Sequence, residues 1–311
     1  MNTQSSAIPE SLSAPQAMVP AEISTAQRLY WSVRRELWEN RWIYLVPLGV
    51  AVVFLLAFLL HLHHLIAAVR SLPTLDAEHR YNAIGGPYDF VGAAMMGLAI
   101  LMSVFYCADA LHDERHDRSI LFWKSMPVSD ATTVLAKASI PVIVIPAIVC
   151  ALAFVMWWTM LLGSSAVLLG RGISPAVLWA QLPLLQMWGL LIFHIGAAHA
   201  IWPAPVYCWV LLVSGWARRA VLLWAALPVL VIGVLEKLAF NTSHFAMLVG
   251  RRLIGDAPVM ADIPNHGFPT HPLTHITPGQ FLTSPGLWFG LLFCAIFLLA
   301  AIRLRRSRGA M

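Results

Sequence analysis

The stretch that decides the fold runs from Trp42 to Ile66 and reads WIYLVPLGVAVVFLLAFLLHLHHLI, 25 residues without one Lys, Arg, Asp or Glu. About 20 apolar residues in a helix span the hydrocarbon of a bilayer. Four further long apolar runs and a shorter one follow. The composition agrees, with 59% hydrophobic against 11% charged residues, a balance outside that of soluble chains. The expected fold is all-α: a polytopic membrane protein of about six transmembrane helices. A coiled coil, a disordered chain and a water-soluble enzyme are excluded.

The remaining spans are read as Phe90 to Leu111, Ile140 to Leu162, Leu182 to Val213, Val221 to Leu238 and Leu287 to Ile302. The fourth is too long for one straight crossing, since 32 residues at ~1.5 Å each give about 48 Å against a core of ~30 Å. It must tilt, break or be two spans, and Trp202-Pro203-Ala204-Pro205 marks the break or re-entrant point. Charge favours six spans with both termini inside, because this places 14 of the 20 Lys and Arg residues on the cytoplasmic side. A seventh span would export the tail Arg303, Arg305, Arg306 and Arg308.

Residues 1–23, rich in Ser, Ala, Pro and Gln, read as a disordered cytoplasmic tail, and residues 24–311 as one transmembrane domain. Leu29, Tyr30, Val33 and Leu37 recur at helical spacing among Arg28, Arg34, Arg35, Glu36 and Glu39, predicting a surface-lying helix over 24–41, aromatic side toward the membrane. The stretch from Ala239 to Gly286 reads as a loop or partial re-entrant helix, with an apolar patch at Phe245 to Leu248. The excess positive charge is explained by membrane topology, so no nucleic-acid partner is expected. Cys107, Cys150, Cys208 and Cys294 all lie in apolar runs without a C-x-x-C, against a disulfide framework.

The connection between spans two and three starts densely charged at His112 to Arg118 and turns abruptly apolar at Ile120, Leu121, Phe122 and Trp123. Each such side chain is worth about 1.5–3 kcal/mol when buried, so a partner's groove is a natural cover. The lipid interface is the other place where Phe122 and Trp123 fit. Pro127 stops the segment, and Ser129 with Asp130 supplies an N-cap and a first-turn acid for the next helix. Arg115 and Lys124 can pair with Asp113, Glu114 and Asp117 within the connector or reach across to a docked partner, and as surface pairs they would contribute about 0–1 kcal/mol each.

Several segments resemble the permease subunit of ABC type-2 transporters, in a proteobacterial branch: Trp31-Ser32-Val33-Arg34-Arg35-Glu36-Leu37-Trp38-Glu39-Asn40, Asp117 to Ser125, Ala204-Pro205-Val206-Tyr207, Ser214 to Arg219, and Pro285-Gly286-Leu287-Trp288. The resemblance implies a bacterial inner-membrane subunit that forms an export pathway. It makes the connector a coupling helix whose Arg118, Ile120, Leu121, Phe122, Trp123 and Lys124 dock on a separate ATPase. Arg34, Arg35, Trp38 and Trp42 would belong to the interfacial helix. ATP and Mg would sit on the partner, since no G-x-x-x-x-G-K-[ST] occurs here and Gly163 and Gly170 are too far apart. A second permease chain would complete the pore. No residue of this chain is assigned a catalytic, cofactor-binding or metal-binding role.

The alternative from a different class is a metal-handling protein or membrane metalloenzyme using His61, His63, His64 and His79. Neither a carboxylate nor a cysteine completes that set in sequence. Asp109, Glu236, His194 and His199, at or near membrane depth, read as structural before functional.

Overall fold

The computed structural model describes residues 24–117, 128–254 and 278–307. Among them every regular element is helical, and six helices are long and apolar enough to cross a membrane. The chain is a multi-pass membrane protein.

Helix α1 (Thr25–Glu39) opens on a capping box: the Ser24 hydroxyl accepts from Gln27 N, and the Gln27 side chain accepts from Ser24 N, pairing two donors that a helix start leaves free. Then come α2 (Trp42–His61), α3 (His63–Ser71), α4 (Ala77–Ala110) and the short α5 (His112–His116). Beyond the connector lie α6 (Asp130–Ser139), α7 (Ile145–Gly170), α8 (Ala176–Gln181), α9 (Leu184–Phe193), α10 (Ala204–Trp216), α11 (Val221–Phe240), α12 (His244–Ile254), α13 (Pro278–Thr283) and α14 (Pro285–Ser307). The end of the bundle that holds α1 is its base.

The core forms around α4, which buries Tyr88, Met95, Met96, Met102, Tyr106 and Cys107 against α7 and α10. Trp157 of α7 donates its indole N–H to Tyr88 O at 2.9 Å, pairing the polar end of a fully buried ring. By contrast, α2, α11 and α14 expose most of their apolar surface, as helices bathed in lipid do.

Proline shapes two of the crossings. Between α6 and α7 the chain takes a π-helical turn over Ile140–Val144, where Pro141 and Pro146 interrupt the ordinary ladder, and the Ser103 hydroxyl approaches Pro141 O at 3.3 Å. The fourth run is broken. A π-helical stretch, His194–Ile201, follows α9, and α10 starts anew after Pro203. Trp188 of α9 packs on Phe154 and Trp158 of α7, whereas Gly215 and Ala217, at the end of α10, accept from Arg115 and His112 at the base. The two halves thus run in series from the far end to the base.

Spans two and three extend further than their apolar cores, because polar but helix-compatible residues continue the ladders. Helix α4 begins at Ala77 rather than Phe90, N-capped by Asp76. Asn241, at φ 51° in the left-handed region that Asn tolerates, ends α11 and lets α12 fold back along it. Of the loop or partial re-entrant helix expected here, the structure shows a helix over His244–Ile254, packed on α11. The Glu236 carboxylate caps it, accepting from His244 N at 2.7 Å and Phe245 N at 2.8 Å.

Candidate functional site

Both roots of the connector, α5 before it and α6 after it, meet at a buried charge node at the base. Glu36 is 0% exposed, and its carboxylate takes Lys137 Nζ at 2.9 Å, Arg35 Nη2 at 2.8 Å and the Tyr106 hydroxyl at 2.8 Å. Lys137 reaches on to Glu114 Oε1 at 3.2 Å. Arg305 of α14 holds the other Glu114 oxygen and, through Nε, Asp130 at 3.0 Å. Arg35, Lys137 and Arg305 therefore face Glu36, Glu114 and Asp130. The node stitches together α1, α4, α5, α6 and α14.

Opposite charges this close are what make burial tolerable, since an unpaired charge here would cost several kcal/mol. Burial alone would raise the Glu36 carboxyl. Lys137 and Arg35 overcome it and hold the group below the ordinary glutamate range. For Arg35, burial works to lower the guanidinium, and Glu36, Glu39 and Glu114 hold it above its usual value. Glu39, at the edge of the node and 3.6 Å from Arg35, is raised, chiefly by burial.

The expectation that Glu114 and Arg115 form surface pairs is overturned. They are 6% and 7% exposed; among the described residues Glu114 meets Lys137, Arg305 and Arg35, and Arg115 donates to the Gly215 carbonyl. The reason is geometric: α5 packs under α10, so Glu114 and Arg115 face the bundle while Asp113 stays exposed. Ser129 and Asp130 hold to expectation as cap and first-turn acid, Ser129 Oγ accepting from Thr132 N at 3.1 Å. Arg118, Ile120, Leu121, Phe122, Trp123 and Lys124 lie outside the described residues.

Of the interfacial-helix residues, Arg34 sits over the rings of Trp31 and Trp38, 5.0 Å from each, while Trp38 and Tyr30 stay exposed. Trp42 packs on Tyr106. Arg35 instead joins the node. Sequence reasoning missed Lys137, Tyr106 and Arg305; the signal available was a lone lysine seven residues after Asp130, on the helix that becomes a span.

Two other polar clusters are present. His61, His63 and His64 approach one another, but His79 turns to Asp76. Among the described residues no group of three or more His, Cys, Asp or Glu is placed to hold a metal ion. At the broken crossing, Arg252 of α12 lies over the Trp202 ring at 4.0 Å. It donates to Trp202 O at 3.2 Å and also to Gly286 O. Cys208 and Cys294, free thiols on α10 and α14, stand 2.8 Å apart.

Compared with family models, curated proteins and solved structures, the chain matches none.

Proposed function

We propose that this chain is the transmembrane permease subunit of an ABC-type exporter, seated in a bacterial inner membrane with both termini cytoplasmic, with a separate ATPase docked on the connector. The observation that carries this reading is the charge node. It grips the connector at both roots, Glu114 on α5 and Asp130 and Lys137 on α6, and ties them to α1 and α14. A force applied to the connector is therefore delivered to several crossings at once. That is what a subunit driven by a partner's ATP cycle requires of a bistable element.

The exposed apolar faces of α2, α11 and α14 leave room for a second permease chain as well as lipid. The resemblance of the Trp31 to Asn40 and Asp117 to Ser125 segments to type-2 permeases supports the same reading.

The test is co-purification of the tagged protein from its native membrane, with an ATPase assay on the eluate. The expected result is a stoichiometric P-loop ATPase that is lost with Phe122→Asp/Trp123→Asp while insertion persists. Undiminished recovery of the ATPase with that double variant, or recovery of the chain alone from wild type, would count against it.

A further inference from the structure

Helix α1 has two unlike faces. Ser32 and Glu36, one turn apart, are buried, and this face packs along α6, where Glu36 meets Lys137. On the opposite face Gln27, Tyr30, Trp31, Arg34 and Trp38 recur at i, i+3, i+4, i+7 and i+11, the spacing of a single helical stripe. Trp31 is 56% and Trp38 67% exposed, so this chain leaves two indoles, with Tyr30 beside them, uncovered. Rings that large on one face call for a cover other than water. The adjoining helix indicates which: α2 begins three residues after α1 ends and exposes Leu45, Leu48 and Val52, as a lipid-bathed span does. Indoles and phenols collect at the headgroup level of a bilayer, and the stripe lies where α1 gives way to such a span.

The stripe is also cationic. The Arg34 guanidinium stands 5.0 Å from the Trp31 and Trp38 ring centroids alike, within cation–π range of each, and among the described residues it makes neither an ion pair nor a hydrogen bond. Arg41, exposed at the head of α2, likewise meets no acid among them. The two acids of α1 turn elsewhere, Glu36 into the node and Glu39 toward Arg35. Two arginines at headgroup depth without a carboxylate of their own fit an external anion. A guanidinium takes phosphate oxygens bidentately, and the ring on either side of Arg34 holds it in place, so little side-chain freedom remains to be lost on binding. A zwitterionic headgroup already brings an ammonium to its phosphate; an anionic one does not.

We propose that this face of α1 is a binding site for an anionic glycerophospholipid, whose phosphate is held by Arg34 with Arg41 adding a second charge, and whose glycerol region rests against Trp31 and Trp38. Each arginine at an anionic membrane surface raises affinity about fivefold, so the two together give about a thirtyfold preference over a zwitterionic lipid. The preference holds whether or not an ATPase docks on the connector.

The test titrates the delipidated full-length protein, in a neutral detergent, with dioleoyl phosphatidylglycerol or dioleoyl phosphatidylcholine and counts bound lipid by native mass spectrometry. Wild type is expected to bind its first phosphatidylglycerol about thirtyfold more tightly than phosphatidylcholine. Arg34→Gln/Arg41→Gln should erase most of that preference, whereas Arg303→Gln/Arg306→Gln, which removes the same charge from the exposed end of α14, should keep it. Equal affinity of wild type for the two lipids overturns the proposal, and that comparison needs no variant to fold. So does an undiminished preference with Arg34→Gln/Arg41→Gln, an equal loss with Arg303→Gln/Arg306→Gln, or displacement of the bound phosphatidylglycerol by equimolar inorganic phosphate. A P-loop ATPase that co-purifies with wild type and is lost with Arg34→Gln/Arg41→Gln would assign the face to that partner instead.

Discussion

Lys137 shows how much rests on single side chains. It is 2% exposed and stands between Glu36 and Glu114, so Lys137→Met removes the one cation that bridges the two carboxylates at about 3 Å, leaving Arg35 and Arg305 to face them. Removing one partner of a buried pair costs about 3–5 kcal/mol, and denaturant or thermal unfolding in detergent should show a loss of that size. Glu36→Gln/Lys137→Met should cost less than the sum of its single changes, because the two share the interaction. The depressed Glu36 carboxyl also sets a pH dependence. Its contribution is fully present above the unfolded value of about 4.3 and is lost as pH falls through the lower folded value. The difference in melting temperature between wild type and Glu36→Gln should therefore be constant at neutral pH and shrink under acid titration below that point; a difference unchanged to pH 3 would remove Glu36 from the argument. None of this was legible beforehand. A buried charge and a solvated one look alike in sequence, and Glu36, Glu114 and Arg305 become neighbours only once four crossings are packed.

Elements were more readable. The apolar runs gave the spans, and Pro203 with Pro205 gave the break, because chain length and a missing N–H act locally. The fold-back of α12 was readable only as an apolar patch, since its seat depends on Arg252 finding Trp202 and α14. A side chain on Gly290 would meet the Arg252 guanidinium at 2.8 Å, so Gly290→Val should unseat it from Gly286 O and Trp202 O. Losing such hydrogen bonds costs about 1–3 kcal/mol, and protease cleavage near α12 should accelerate. Helices α10 and α14 can be tested independently through Cys208 and Cys294. Copper–phenanthroline oxidation should yield the Cys208–Cys294 peptide pair by mass spectrometry, and its absence would argue against their juxtaposition. The sequence offered no cue to this pair, 86 residues apart.

At the scale of the whole molecule, α1 and the end of α14 meet the same Glu114, Arg35 at 3.6 Å and Arg305 directly. The two ends of the described chain therefore lie at one end of the bundle, which requires an even number of crossings. Reporter fusions at Ser24 and after Ser307 should report the same compartment, and under the proposed topology that compartment is the cytoplasm. Opposite reports would refute the six-crossing arrangement. The sequence reached the same parity from its Lys and Arg distribution, a property of the chain as a whole that needs no packing to be seen.

The pairing of Arg252 with Trp202 also bears on how the protein is made. The freed carbonyl of the fourth run waits for a donor 50 residues further along, and a bare carbonyl in hydrocarbon costs several kcal/mol. That run should therefore be more weakly held in the bilayer until α12 has been synthesised, so the last third of the chain completes the middle one, and nascent chains stalled between the two should be more readily degraded than full-length ones.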